Sequence, residues 1–446
     1  MKKSRDTLFA QSDWRAIAGV SVPSLVSIVV MLLYNMADMY FVGWIGNVSA
    51  VAAVSLAGPI YSLLMAVSTM LGNGACTRIA QALGRNDAEA IRRYTSQCFW
   101  GSLVFGAVFA VVCFTGQVPI LHGLGANTDM WADARNYMLV LAAGAPFLLL
   151  NHTWSNALRG QGQVTASLVG SMIGTFSNIL LDPLFILGFH LGVGGAAAAT
   201  VLSNALAAGY YFVLCCRGRY MLELHPRYAC NLREFVGLLA LGLPNAVSTG
   251  LSGLAHSFSN RLLVRYGTIA VAAMGAAGKA TTLVTMVQMG LCMGVQPLLA
   301  YCCGANNWPR LRRLIQKLLA LTLTLGIVLT AALFVGRNVA IGLFLQNSEA
   351  AALGARLLTL HMLLGPFIGL YYLSTNFLQA SGNAAAATVA STLRQGGLLI
   401  PLLYIMESVF GLDGLAFAAV AADGIAVLIA GAMALHHYRQ ESKSSR

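Results

Sequence analysis

Asp38 and Asp182 are carboxylic acids set deep inside long apolar runs, and ionisable groups in such surroundings are costly enough to be informative. Each has a polar companion four residues earlier, Tyr34 before Asp38 and Asn178 before Asp182. That spacing puts both members of a pair on one helix face. Thr200 lies six to eight residues into the next apolar run, which places it at a depth similar to the acids if successive helices cross in opposite directions. Pro183, directly after Asp182, has no N–H and kinks a helix, freeing a carbonyl beside the carboxylate. Two carboxylates, an amide, a hydroxyl and a phenol are suited to holding a proton or to forming an oxygen cage for Na⁺. A carboxyl that loads from one side and releases to the other would couple ion entry to a second movement. Enzymatic chemistry finds no comparable support. The chain lacks H-E-x-x-H and G-x-S-x-G, and its Gly-rich stretches lack the G-K-[ST] of an ATP-binding loop.

The elements that must position these groups follow from composition. The 446 residues are 58% hydrophobic and 9% charged, with mean hydropathy +0.72, whereas a soluble domain carries roughly a quarter charged residues. This excludes a soluble globule, a disordered chain, a disulfide scaffold and a nucleic-acid binder, despite a net charge of +12. The nine cysteines are scattered without a C-x-x-C pair, which suggests neither zinc nor redox chemistry; they read as small apolar fillers. Runs of about 20 apolar residues occur at 16–42, 50–72, 94–116, 137–158, 164–188, 194–216, 235–265, 270–300, 314–336, 355–379, 384–406 and 414–437. The first run is too long for a signal peptide. Twelve spans place twenty of the 27 Lys and Arg on one side and only Arg135, Arg337 and Arg356 on the other. That bias predicts a multi-pass membrane protein with both termini cytoplasmic.

The two halves repeat at an offset of 220 residues. Gly74, Gly84, Asn86, Arg92, Arg93, Pro146, Asn156, Leu158 and Gly162 pair with Gly294, Gly304, Asn306, Arg312, Arg313, Pro366, Asn376, Leu378 and Gly382. This is a duplication pattern. The expected fold is an all-α membrane protein of twelve transmembrane helices in two pseudo-symmetric six-helix lobes around a central cleft, an arrangement suited to alternating access. The expected domains are an N-lobe over 1–216 carrying the ion site, a cytoplasmic linker over 217–234, and a C-lobe over 235–446. L-L-D182-P-L resembles L-L-I400-P-L at an offset of 218, a drift of two residues, so the second half has Ile400 where Asp182 is, and Ser259 or a neighbour where Asp38 would be. Coupling should therefore reside in the first half.

Further polar residues lie in the second half. Arg394 and Asp423 sit mid-span on adjacent antiparallel helices and are expected to form a structural ion pair, since burying either charge alone would be severe. Gln288, Gln296, His256, Arg261 and Lys279 are candidates for a polar substrate cleft.

Several segments resemble the multidrug and toxic compound extrusion (MATE) family, bacterial type. They are L-Y34-N-M-A-D38-M-Y-F-V-G-W-I-G, R-I-A-Q-A-L-G84-R-N-D, L-R159-G-Q-G, N178-I-L-L-D182-P and G-V-G-G-A-A-A-A-T200. In the second half, M-G294-V-Q-P-L-L-A-Y-C-C-G-A and R394-Q-G-G-L-L-I-P are also family-like. The resemblance implies a secondary antiporter, not an enzyme, that exports organic cations and amphipathic drugs in exchange for H⁺ or Na⁺. It implies no cofactor, no metal beyond Na⁺ at Asp38 and Asp182, and a monomer in the lipid bilayer with small-molecule substrates. It assigns the coupling-ion site to Asp38, Asp182, Asn178, Thr200 and Tyr34, with Asn156 as the nearest match to a fourth-helix asparagine. The alternative readings are a lipid-linked saccharide flippase of related architecture, for which Arg261, Lys279 and Arg394 would be the cationic cleft, and a dedicated metabolite exporter.

Overall fold

The computed structural model describes residues 11–43, 48–126, 128, 130–218, 220–229, 231–345 and 347–444. The side chains of 32–43, 48–55, 187, 443 and 444 are outside what is described. The helices are α1 (Asp13–Gly43), α2 (Val48–Gly84), α3 (Ala88–Thr115), the short α4 (Gln117–Gly123), α5 (Trp131–Gly160), α6 (Val164–Pro183) and α7 (Gly192–Cys216). There follow α8 (Leu232–Leu263), α9 (Gly267–Gly304), α10 (Trp308–Val335), the short α11 (Arg337–Gly342), α12 (Ser348–His361), α13 (Ile368–Ala380), α14 (Ala384–Thr392), α15 (Leu399–Phe410) and α16 (Leu412–Ser444). No strand occurs among the described residues, as expected where lipid cannot satisfy an open sheet edge.

Counting α12 with α13 and α14 with α15 as single crossings, and leaving out α4 and α11, gives twelve crossings among the described residues. The span expected over 355–379 is broken at residues 362–367. Gly365 and Pro366 stand together there and weaken the helix at consecutive positions. The Gly365 carbonyl is taken up instead by Gln288 Nε2 at 2.8 Å. The repeat partner Pro146 follows Ala145 and lies inside the unbroken α5.

Chain contacts divide the protein into two compact units. Unit 1 runs from Pro23 to Ala246; unit 2 takes Val247 onward together with residues 11–22. The chain therefore passes from one unit to the other inside α1 at Pro23 and inside α8 just after Pro244. Unit 1 is cored by Leu71, Ile79, Trp154 and Tyr211, and unit 2 by Leu262, Ala277, Leu357 and Ala416. The outer faces are apolar too. On α3, Val104, Val108, Val111 and Val112 are each more than half exposed, as are Ile327 and Val328 on α10. Water would not tolerate so much exposed apolar surface, and a hydrocarbon solvent explains it.

The duplication is visible in backbone detail. Asn86 and Asn306 both take left-handed φ values, 58° and 52°, a conformation asparagine tolerates better than most residues. The next residue caps the following helix in each half. Asp87 Oδ1 accepts from the Ala90 N–H at 2.9 Å, and Asn307 Oδ1 accepts from the Arg310 N–H at 3.1 Å. Gly106 lies against Pro146 and Gly326 against Pro366; a Cβ at either would stand 2.6 Å from proline backbone atoms. The starts of the two shared helices are tied down equivalently. In unit 2, Asp13 accepts from Lys317 at 2.7 Å and lies 3.5–3.6 Å from Arg310 and Arg313. In unit 1, Arg93 pairs with Glu234 at 3.1 Å. Arg93 and Arg313 are repeat partners.

Candidate functional site

In unit 1, α6 and α7 bring three of the expected site residues together. Asp182 is 0% exposed, Asn178 1% and Thr200 6%. Asn178 Nδ2 donates to Asp182 Oδ1 at 3.3 Å. With its amide turned over, Asn178 donates to Asp182 Oδ2 at 2.9 Å while its oxygen accepts from the Thr200 backbone N–H at 3.3 Å. That orientation gives both ends of the amide a partner and links α6 to α7. Immediately after Asp182, Pro183 ends the α-helical ladder, and Leu184–Gly188 winds as a π-helix, with the Phe189 N–H reaching the Leu184 carbonyl at 2.9 Å. Such wide turns favour functional positions because they displace backbone carbonyls.

The polar group continues through residues that sequence reasoning missed. The Thr200 carbonyl accepts from Asn204 Nδ2 at 2.8 Å, and Asn204 Oδ1 accepts from Asn151 Nδ2 at 2.7 Å. Asn151 thus joins α5 to the Asp182 group. The signal lay in two amides within apolar runs, Asn204 being one helical turn beyond Thr200. Asn156 has other partners: its Nδ2 donates to the His152 carbonyl at 2.9 Å, and its Oδ1 accepts from Arg159 Nη2. It is buried one to two turns from Asn151 along α5. Tyr34 and Asp38 lie on α1, but their side chains fall outside the described residues.

In unit 2, Arg394 is 9% exposed and sits on a π-helical stretch, Leu393–Leu398. Its Nε donates to Asp423 Oδ1 at 2.7 Å, its Nη1 reaches the Tyr372 hydroxyl at 3.4 Å, and its guanidinium lies 4.7 Å from the Tyr371 ring centroid. Gln288 and Gln296 are buried within the unit. The first donates to the Gly365 carbonyl, and the second donates to Gln379 Oε1 at 2.9 Å. Gln288 thus serves the break between α12 and α13, its own Oε1 being buried without a hydrogen-bond partner, and Gln296 ties α9 to α13. His256 and Lys279 are exposed and line a cavity of about 340 Å³; Arg261 is exposed on α8 and is not among the lining residues. No metal-binding cluster of His, Cys, Asp and Glu occurs among the described residues.

A twelve-crossing helical chain in two repeated halves, with a buried acid–amide pair in the first, invites comparison with known transporters. The family model described as MatE matches residues 23–184 and 231–405. The chain belongs to the MatE family. The multidrug export protein MepA of Staphylococcus aureus (strain MSSA476) is 28% identical over 432 residues, covering 96% of this chain and 95% of the relative. MepA of Staphylococcus saprophyticus shows the same identity and coverage. Among solved structures, a MATE protein in its bent conformation superposes with TM-score 0.92 at 22% identity, covering 98% of each chain. The outward-facing conformation of a multidrug resistance MATE family transporter of the MOP superfamily matches at TM-score 0.91 and 22% identity, over 98% of this chain and 99% of that one. MatE membership makes this chain a multi-pass membrane transporter, as the sequence motifs led us to expect.

Proposed function

We propose that this MatE protein is an antiporter that exports organic cations and amphipathic drugs in exchange for H⁺ or Na⁺ by alternating access of its two units. The buried Asp182, hydrogen-bonded to Asn178, carries the reading. A carboxylate in a membrane-spanning unit is costly, and a site that reversibly takes a proton or a cation justifies the cost. Asn178 holds the carboxylate through its amide N–H, Thr200 supplies a further hydroxyl oxygen, and Asn151 and Asn204 fix the helices that present them. Asp38 and Tyr34 complete the site from α1 in this account. Asn156 serves beside it as a packing residue of α5.

Antiport then follows from competition. Occupancy of the carboxyl site by the entering ion favours the state that releases substrate outward, and loss of the ion inward restores the substrate-binding state. The differential affinity of the ion for the two states sets how far it can drive export. Cytoplasmic termini, a bacterial-type inner membrane and a monomeric unit belong to the same proposal. The names of the MepA relatives, which are multidrug export proteins, support the substrate class.

The test is efflux of ethidium from proteoliposomes under an imposed pH gradient and, separately, an imposed sodium gradient. We expect one of the two gradients to drive efflux, and Asp182→Asn to abolish it while the protein still inserts. Efflux at the unmodified rate from Asp182→Asn would overturn the assignment of the coupling site. Ion flux without any exchange substrate would overturn antiport itself.

A further inference from the structure

The cavity in unit 2 stands where the duplication would place a second ion site. With the register drifting between offsets of 218 and 221 residues, as loop insertions produce, the repeat pairs Asp38, Asn178, Asp182 and Thr200 with positions 259, 396, 400 and 420. The cavity is lined by Ser259, Gln395, Leu399 and Ala419, each at or one residue from those positions. The carboxylates of unit 1 thus have only neutral counterparts in unit 2. What the cavity has instead is the ammonium of Lys279 and the imidazoles of His256 and His361. No carboxylate is among its lining residues.

Three acids on α15 and α16 have other partners. Asp423 is held by Arg394 and shares a smaller neighbouring cavity with His361, Asp413 is paired with Arg356, and Glu407 accepts from the Tyr266 hydroxyl at 3.1 Å and lies 3.8 Å from Arg265. Lys279 forms none of the ion pairs among the described residues; its ammonium lies 5.8 Å from the Phe344 ring centroid. Around these polar groups the wall is apolar, with Leu263, Met274, Leu403 and Leu415. A volume of about 340 Å³ is within the range of small-molecule pockets, which combine an apolar body with a few placed polar groups.

We propose that this cavity binds amphipathic organic carboxylates, with the anionic head on Lys279 and the apolar body against the leucines. The acids of unit 1 are absent from their counterpart positions in unit 2, and the basic groups of this cavity stand on other positions of its wall. The site extends the substrate range beyond organic cations. It does not depend on the coupling role given to Asp182, because binding here requires no gradient.

The experiment is equilibrium dialysis of the full chain in detergent with 1-naphthaleneacetate and with the neutral 1-naphthaleneacetamide. A charge-assisted hydrogen bond predicts that the carboxylate binds about tenfold more tightly than the amide. Lys279→Gln should bring the two probes to within about twofold of each other, with the amide still bound, and Lys279→Arg should retain the preference. Because Lys279 is exposed, neither substitution threatens the fold, and amide binding reports directly on the cavity wall. Equal affinity for the two probes, failure of both to bind, or a preference that survives Lys279→Gln would each overturn the proposal.

Discussion

Replacing Asp423 with leucine leaves the Arg394 guanidinium buried in unit 2 without its carboxylate. Breaking a buried ion pair by removing one partner typically costs about 3–5 kcal/mol. Two features of the structure reduce that figure. The Asp423 side chain keeps 29% of its exposure, against 11% for Arg394, so part of the field is already screened. The guanidinium also retains the Tyr371 and Tyr372 rings, at 4.7 and 5.5 Å, each worth about 0.5–1 kcal/mol or more to a cation. The expected loss for Asp423→Leu is therefore about 2–3 kcal/mol. The double variant Arg394→Met with Asp423→Leu removes both charges and should cost less than the single Asp423 change, because no charge is stranded. Thermal melts can be followed with a thiol-reactive fluorophore: the exposed Cys216 and the half-buried Cys215 and Cys303 label in the folded protein and set the baseline, and Cys76, Cys98, Cys113, Cys292 and Cys302 are buried and add signal on unfolding. A double variant that melts below Asp423→Leu would refute the reasoning.

Three further outcomes follow from the repeat and the polar group. Gly106→Leu and Gly326→Leu should each cost at least about 1–3 kcal/mol through overpacking against Pro146 and Pro366, with both variants melting lower by similar amounts. Asn86→Ala should destabilise by about 1 kcal/mol, since alanine pays the left-handed penalty that asparagine partly escapes, whereas Asn86→Gly should melt at or above the unmodified protein. Asn151→Leu should leave the protein folded but slow gradient-driven efflux in proteoliposomes, because it breaks the bond to Asn204 beneath Thr200; unchanged efflux would remove Asn151 from the site.

Much of this architecture was readable from the chain because lipid imposes a simple rule: apolar runs of crossing length must be helices. The repeat fixed where turns recur, and Asn86/Asn306 and Gly162/Gly382 do share left-handed backbone. Helix ends were less legible. The run expected over 50–72 is α2, which continues to Gly84, since hydropathy reports the membrane-crossing part and not the hydrogen-bonded length. The break between α12 and α13 was hidden because Gly365–Pro366 interrupts an otherwise apolar run without changing its hydropathy. Within the site, the i, i+4 spacing of Asn178 and Asp182 pointed to a contact that the structure contains. The bond between Asn151 and Asn204 depends on how α5 meets α7, which spacing within one helix cannot reveal. The same holds for Gln288 and Gln296, whose amides turn inward because the carbonyl of Gly365 and the amide of Gln379 await them there.

Equilibrium binding of ethidium to the purified protein, measured across a pH series without sodium and across a sodium series at fixed high pH, tests the exchange mechanism most directly. If Asp182 is where ion and substrate compete, affinity falls as one of the two ions is raised, and Asp182→Asn binds ethidium with that dependence lost. An Asp182→Asn protein whose ethidium affinity still falls with the same ion, over the same range, would contradict the account.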